Sequence, residues 1–185
     1  MKTLTLIPFA LAALLATAAA SARVGEVTDP DRPRALPAEG AVAVRWDDPA
    51  AFSEIRGSNN RWEARRGNWV YQIADYLRTR AEKRLAPGER LDVAIHDIRR
   101  AGNYEPWRGP NANDIRYVRD IYPPRIALSF TLSDAQGKVI AQGDRKLTDL
   151  AFTSNTSTIT NSDPLRYEKR LLDDWLRNEL RAARI

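Results

Sequence analysis

Only one histidine, His96, stands in the sequence, beside Asp97, and there is no cysteine. His96 lies near the end of a stretch with strand alternation, and neighbouring strand residues point to opposite faces. An acid–base pair between His96 and Asp97 is therefore not expected, and His96 reads as a solvent-facing strand residue. A Ser-His-Asp set using this histidine is formally possible, but the Gly-x-Ser-x-Gly turn that exposes a serine nucleophile does not occur. One histidine without cysteine excludes the common zinc sets. The acids from Asp144 to Asp149 lack the spacing of a calcium loop. Neither Gly-x-Gly-x-x-Gly nor Gly-x-x-x-x-Gly-Lys is present, so no metal and no cofactor is expected. Asp173-Asp174 are adjacent on a helical stretch and diverge by about a quarter turn, as solvated helix charges do. The Asn155-Thr156-Ser157 triplet matches a glycosylation acceptor, a pattern frequent by chance.

One constellation could hold a ligand. Trp62, Arg65 and Arg66 precede the first long helical stretch, and Tyr104, Trp107 and Arg108 lie in a Gly- and Pro-rich segment, all six in expected loops. Indole faces stack on sugars or cations, and guanidinium forks hold carboxylates or phosphates. Such a set suits an anionic glycan or a lipid head group. The competing reading, favoured on general grounds, folds Trp62 and Trp107 back over the core with arginines stacked on them.

The elements that must position these residues follow from periodicity. Val42, Val44 and Trp46 alternate with small or charged neighbours as a half-buried strand, ended by Asp47-Asp48-Pro49. Trp69, Val70, Ile73, Leu77, Ala81 and Leu85 form one stripe of a helix over 68–85, stopped by Pro87-Gly88. Leu91, Val93 and Ile95, then Ile126, Leu128, Phe130 and Leu132, mark two more strands. Asp134-Ala135-Gln136-Gly137 is turn chemistry, so 138–147 should return antiparallel to 125–133. A second helix over 164–183 is expected to be capped by Asp163 and to bury Tyr167, Leu171, Leu172, Trp175 and Leu176 or Leu180, with Asp173 and Arg177 paired outside. The segments 100–124 and 152–162 read as loops, with room for a helical turn near Ile115 to Ile121. The order strand-helix-strand-strand-strand-helix predicts a single α+β domain: a mostly antiparallel sheet of about four strands with two helices on one face.

The ends and the charge set the compartment. Lys2, the apolar run from Leu4 to Leu15 and the small residues through Ala20-Ser21-Ala22 have the form of a signal peptide cleaved after Ala22. The run is shorter than a bilayer span, so a periplasmic or secreted product that does not span the membrane is expected. Residues 23–40 hold Pro30, Pro33 and Pro37 among polar neighbours and read as a flexible leader to a domain over 41–185. The net charge of +5 comes from 29 basic against 24 acidic side chains. In an exported protein this mild excess points away from nucleic acid and leaves an envelope protein or an anionic envelope component as partner, although charges so mixed are read first as an ordinary solvated surface. The oligomeric state is not read from these features.

Several stretches, in this order, carry a family resemblance: Val42-Ala43-Val44-Arg45-Trp46-Asp47-Asp48-Pro49 with Phe52, Asp97-Ile98-Arg99-Arg100-Ala101-Gly102, Tyr122-Pro123-Pro124-Arg125-Ile126, Leu147-Thr148-Asp149, and Asp163-Pro164-Leu165-Arg166-Tyr167-Glu168-Lys169. The set resembles an exported bacterial family known as domain of unknown function 3016. That resemblance implies a Gram-negative source and export, and it brings no catalytic or binding residues. Arg99-Arg100 stands where such proteins place an apolar residue after the aspartate–isoleucine pair. Three function classes follow: a non-enzymatic binding or assembly domain of the envelope, favoured because no catalytic set is visible; a binding module for an anionic glycan or lipid; and a hydrolase whose carboxylates converge only in the fold.

Overall fold

The structure is a computed structural model, described here for residues 25–154 and 161–183. The expected signal peptide, residues 1–22, and the Asn155 triplet lie outside the described residues.

A four-stranded sheet in the order β1-β2-β5-β6 forms the centre: β1 (Val42–Trp46), β2 (Arg90–Arg99), β5 (Arg125–Ser133) and β6 (Val139–Thr148). β1 runs parallel to β2, and the other pairs are antiparallel. A parallel pair requires a long crossover. Here it is supplied by α1 (Ser53–Arg56), α2 (Arg61–Arg65) and α3 (Trp69–Glu82). The β5–β6 turn closes where the Asp134 amide donates to the Lys138 carbonyl at 2.9 Å and Gly137 takes φ +81°, which a side chain rarely adopts.

One face of the sheet is apolar. Val42, Val44, Trp46, Leu91, Val93, Ile95, Ile98, Ile126, Leu128, Phe130 and Leu132 are buried there in one core with α3 and α4 (Arg166–Ala182). The stripes of both helices are buried as the periodicity requires, and Trp175 meets Phe130 edge-on at 5.6 Å. Asp163 serves the start of α4 by accepting from the Leu165 amide at 2.8 Å. Asp173, however, does not pair with Arg177. It turns toward α3, accepting from Tyr76 Oη at 2.7 Å and Arg80 Nε at 2.8 Å, while Arg177 pairs with Asp174. Burial, followed by the hydrogen bond to Asp173, pushes the Tyr76 phenol up to about 12.

Two expectations change. Residues 25–40 do not form a free leader: from Gly25 on they are a strap along the domain. The Val27 amide donates to the Arg65 carbonyl at 2.8 Å, the Leu36 amide to Val44 at 2.9 Å, and the Trp46 amide to Arg34 at 2.8 Å, while Val27 and Leu36 are buried. Two apolar anchors and an unpaired sheet edge offset the entropy that the prolines and polar residues could not. The segment 100–124 is also more ordered than a loop. β3 (Asn103–Tyr104) and β4 (Arg116–Tyr117) pair into a small hairpin-like lobe, and 3-10 turns at Pro106–Arg108 and Pro110–Ala112 lie between them. No helical turn forms at 115–121. Gly102, at φ +81°, allows a close approach in which a Cβ would lie 2.7 Å from the Tyr117 carbonyl.

Candidate functional site

The six candidate residues separate by environment. Trp62 and Arg65 sit on α2 rather than in a loop, and Arg66 caps its end. The Asn60 side chain starts this helix by accepting from the Glu63 amide at 3.1 Å, and its Nδ2 donates to the Asn113 carbonyl at 3.0 Å. The neighbouring Asn59 donates to the Tyr104 carbonyl at 2.9 Å. These asparagines fasten α2 to the β3–β4 lobe, so the two halves of the predicted constellation do share one end of the molecule.

Trp62 and Trp107 are not folded into the core: they are 54% and 66% exposed. Tyr104, by contrast, is buried at 5%, with the Arg116 guanidinium 5.4 Å from its ring centroid, and is core rather than contact surface. The arginines are braced. Arg66 stacks on Trp62 at 4.6 Å and pairs with Glu63 at 2.7 Å, Arg65 lies 3.9 Å from Glu26, and Arg108 stacks on Tyr117 at 4.7 Å while pairing with Glu105. Glu105 is buried within the lobe, where it also accepts from Arg119 at 3.0 Å and Tyr122 at 3.1 Å. The Arg108 hydrogen bond, against the effect of burial, holds this carboxyl below the usual range.

Sequence reasoning passed over the rest of this end. Ile115, Val118 and Ile121 are 50%, 40% and 59% exposed, so with Trp62 and Trp107 this end carries five of the nine large exposed apolar side chains among the described residues. Apolar residues without alternation in a Pro- and Gly-rich segment were the available signal. The same two segments, 56–66 and 103–122, hold seven arginines against four carboxylates. An apolar tip on a basic ground results.

A buried ionic cluster roots the lobe. Glu54, 3% exposed, accepts from Arg100 Nη2 at 2.9 Å and Arg116 Nη1 at 2.8 Å, and Arg116 also reaches the Ala101 and Gly102 carbonyls at 2.8 and 2.9 Å. Burial alone would raise the Glu54 carboxyl, but Arg116 and Arg100 together hold it below the usual range. Arg100 stacks on Trp69 at 4.7 Å, which explains how an arginine occupies a position expected to be apolar. Glu168, 1% exposed, accepts from the Ala101 amide at 2.6 Å, and its Oε2 has no hydrogen-bond partner among the described residues. Burial pushes this carboxyl up despite the Ala101 amide and the nearby arginines. Two carboxylates thus do converge around Arg100 and Arg116, but both are sealed from solvent.

His96 is more connected than a solvent-facing strand residue. β2 bulges at this point, and on the open face of the sheet His96 Nδ1 lies 3.0 Å from Asp47 Oδ2 and Nε2 lies 2.9 Å from Ser129 Oγ. The row has the order of a Ser-His-Asp set. Ser129, however, is on β5, between β2 and β6, and the amides of a central strand serve the two ladders rather than a developing oxyanion. Asp97 turns instead to the Ser53 amide and hydroxyl, at 2.6 and 2.7 Å.

No group of three or more His, Asp or Glu side chains suited to a metal is found among the described residues, and no helix there is long and apolar enough to cross a membrane. No curated protein and no solved structure matches the chain. A family model matches residues 40–178, most of the chain, and these include β1, the buried Glu54–Arg100–Arg116 cluster and α4 up to Asn178. The chain belongs to the family described as protein of unknown function (DUF3016).

Proposed function

We propose that the chain is an exported, periplasmic, non-enzymatic binding domain of the bacterial envelope, and that α2 and the β3–β4 lobe are its contact surface for anionic lipid. The observation that carries this reading is the exposure of Trp62, Trp107, Ile115, Val118 and Ile121 on one arginine-rich end. Indole rings favour the membrane interface, and branched aliphatics gain from hydrocarbon but not from a sugar ring, so this set suits lipid better than glycan. Arg66, stacked on Trp62 and paired with Glu63 through one nitrogen, keeps a partly exposed guanidinium that can also meet phosphate. The lobe is braced by Glu105 and by the Glu54 cluster, so little ordering entropy is lost on contact.

The test is flotation of the purified protein with vesicles of phosphatidylglycerol and phosphatidylethanolamine, compared with vesicles of phosphatidylcholine alone. Binding to the anionic vesicles, a blue shift of tryptophan emission and weakening by salt are expected. Trp107→Ser together with Ile121→Ser, both at exposed positions, should weaken binding by about tenfold or more while leaving the circular dichroism unchanged. Absence of flotation, or equal binding by the double variant, refutes the lipid reading. Recovery of a stoichiometric envelope protein without vesicle binding would replace lipid by a protein partner.

A further inference from the structure

A concave feature lies outside α2 and the β3–β4 lobe. Between the strap and the β1–α3 side of the domain is a cleft of about 630 Å³, lined by Val27, Pro33, Leu36, Trp46, Val70 and Tyr71 among others. That volume is in the range of small-molecule sites, which are about 300–1,000 Å³. The strap is tied down on both sides of the cleft, at Gly25 and Val27 against Arg65 and Gly67, and at Arg34 and Leu36 against Val44 and Trp46. Residues 28–33 pass between these ties with only local turns. A macromolecule would have to part these ties, whereas a narrow apolar molecule can lie along the wall.

Arg32 supplies the polar end. It lines the cleft, its guanidinium lies over Gly25, where a Cβ would collide with it, and its nearest carboxylate is Asp29 at 3.8 Å with both side chains 42% exposed. Asn68 adds an amide side chain to the same lining. A cleft that is apolar along its length with one guanidinium at its exposed side complements an amphiphile with a hydrocarbon body and one anionic head.

We propose that this cleft binds a long-chain carboxylate, with the hydrocarbon against Pro33, Tyr71 and the cleft-facing edges of Leu36 and Trp46, and the carboxylate at Arg32. The cleft is separate from the proposed lipid surface in its lining, none of which belongs to α2 or the β3–β4 lobe, although the strap end is tied to Arg65 of α2.

Trp46 lies in the cleft wall and serves as reporter. The purified protein is titrated with a brominated long-chain fatty acid below its micellar concentration, using the Trp62→Phe, Trp107→Phe background to remove the exposed indoles. Saturable quenching at one molecule per chain is expected. Arg32→Ala should weaken binding roughly two- to fivefold, as for a partly exposed ion pair. The corresponding brominated alcohol should bind the unsubstituted protein and Arg32→Ala alike. Ala35→Glu, an exposed position in the lining, should abolish quenching without changing the circular dichroism. Quenching that never saturates, equal affinity of acid and alcohol for the unsubstituted protein, or full binding by folded Ala35→Glu would each overturn the proposal. So would dimerisation that buries Trp46 without any response to the acid.

Discussion

At the scale of single residues, the decisive groups are buried carboxylates of opposite tendency. Glu54 is held below the usual glutamate range by Arg116 and Arg100 against its burial. Its stabilising contribution is full above the ordinary glutamate value and is lost as pH falls through the lowered folded value. Glu168 is raised by burial, so its contribution has the opposite sign: full below the ordinary value and lost as pH rises through the raised folded value. Urea unfolding across acid to neutral pH separates the two. Glu54→Gln leaves two largely buried guanidinium groups without their carboxylate and should cost about 3–5 kcal/mol near neutrality, a loss that shrinks in acid. Glu168→Gln keeps an acceptor for the Ala101 amide and removes the titration, so the decline in stability toward neutral pH should flatten. An unchanged pH slope in Glu168→Gln would show that this carboxyl titrates normally. His96 teaches the same lesson in reverse: a single bulge residue meets Asp47 and Ser129, 49 and 33 positions away, which no local pattern encodes.

Among the elements, the strap and the lobe carry the two proposed binding surfaces, and both come from segments without a clear period. The strap is held chiefly by Leu36, whose side chain fills the core edge while its amide extends the sheet beyond β1. Leu36→Ala should cost about 2–5 kcal/mol and expose the amides of Leu36 and Trp46 to hydrogen exchange before those of α3. If exchange at Trp46 stays at the level of α3, the strap is not an independent unit. α3 and α4 were plain in the sequence because their stripes recur at 3.6-residue spacing, yet their interlock through Asp173 was not. Asp173 looked like a surface charge because the helix that covers it, α3, is distant in sequence.

Considered whole, the molecule is an open-faced sheet with its helices on one side, an apolar cleft beside its N-terminal strap, and an arginine-rich tip. The excess of basic over acidic side chains is modest, so attraction to an anionic surface should be local to that tip rather than a field of the entire protein. The proposed export would place such a tip at the envelope. In an osmotic-shock fraction of the cells that make it, the intact mass should correspond to a chain beginning at Arg23. A chain that retains Met1 and stays with the cytosol would remove the envelope reading.

Periodicity along the chain was enough to read the α+β class, the core strands, the two long helices and the residues that face inward. Burial on a pleated or helical surface imposes a period that any stretch of about ten residues displays. The sequence also marked Trp62 and Trp107, but not that they stand in solvent. Only the folded arrangement shows that Tyr104 is core, that 25–40 borders a cleft, and that β1 is parallel to β2. It also shows that Glu54 and Glu168 meet around two arginines. Each of these depends on pairings across tens of residues, where long-range contacts and dehydration outweigh local preference.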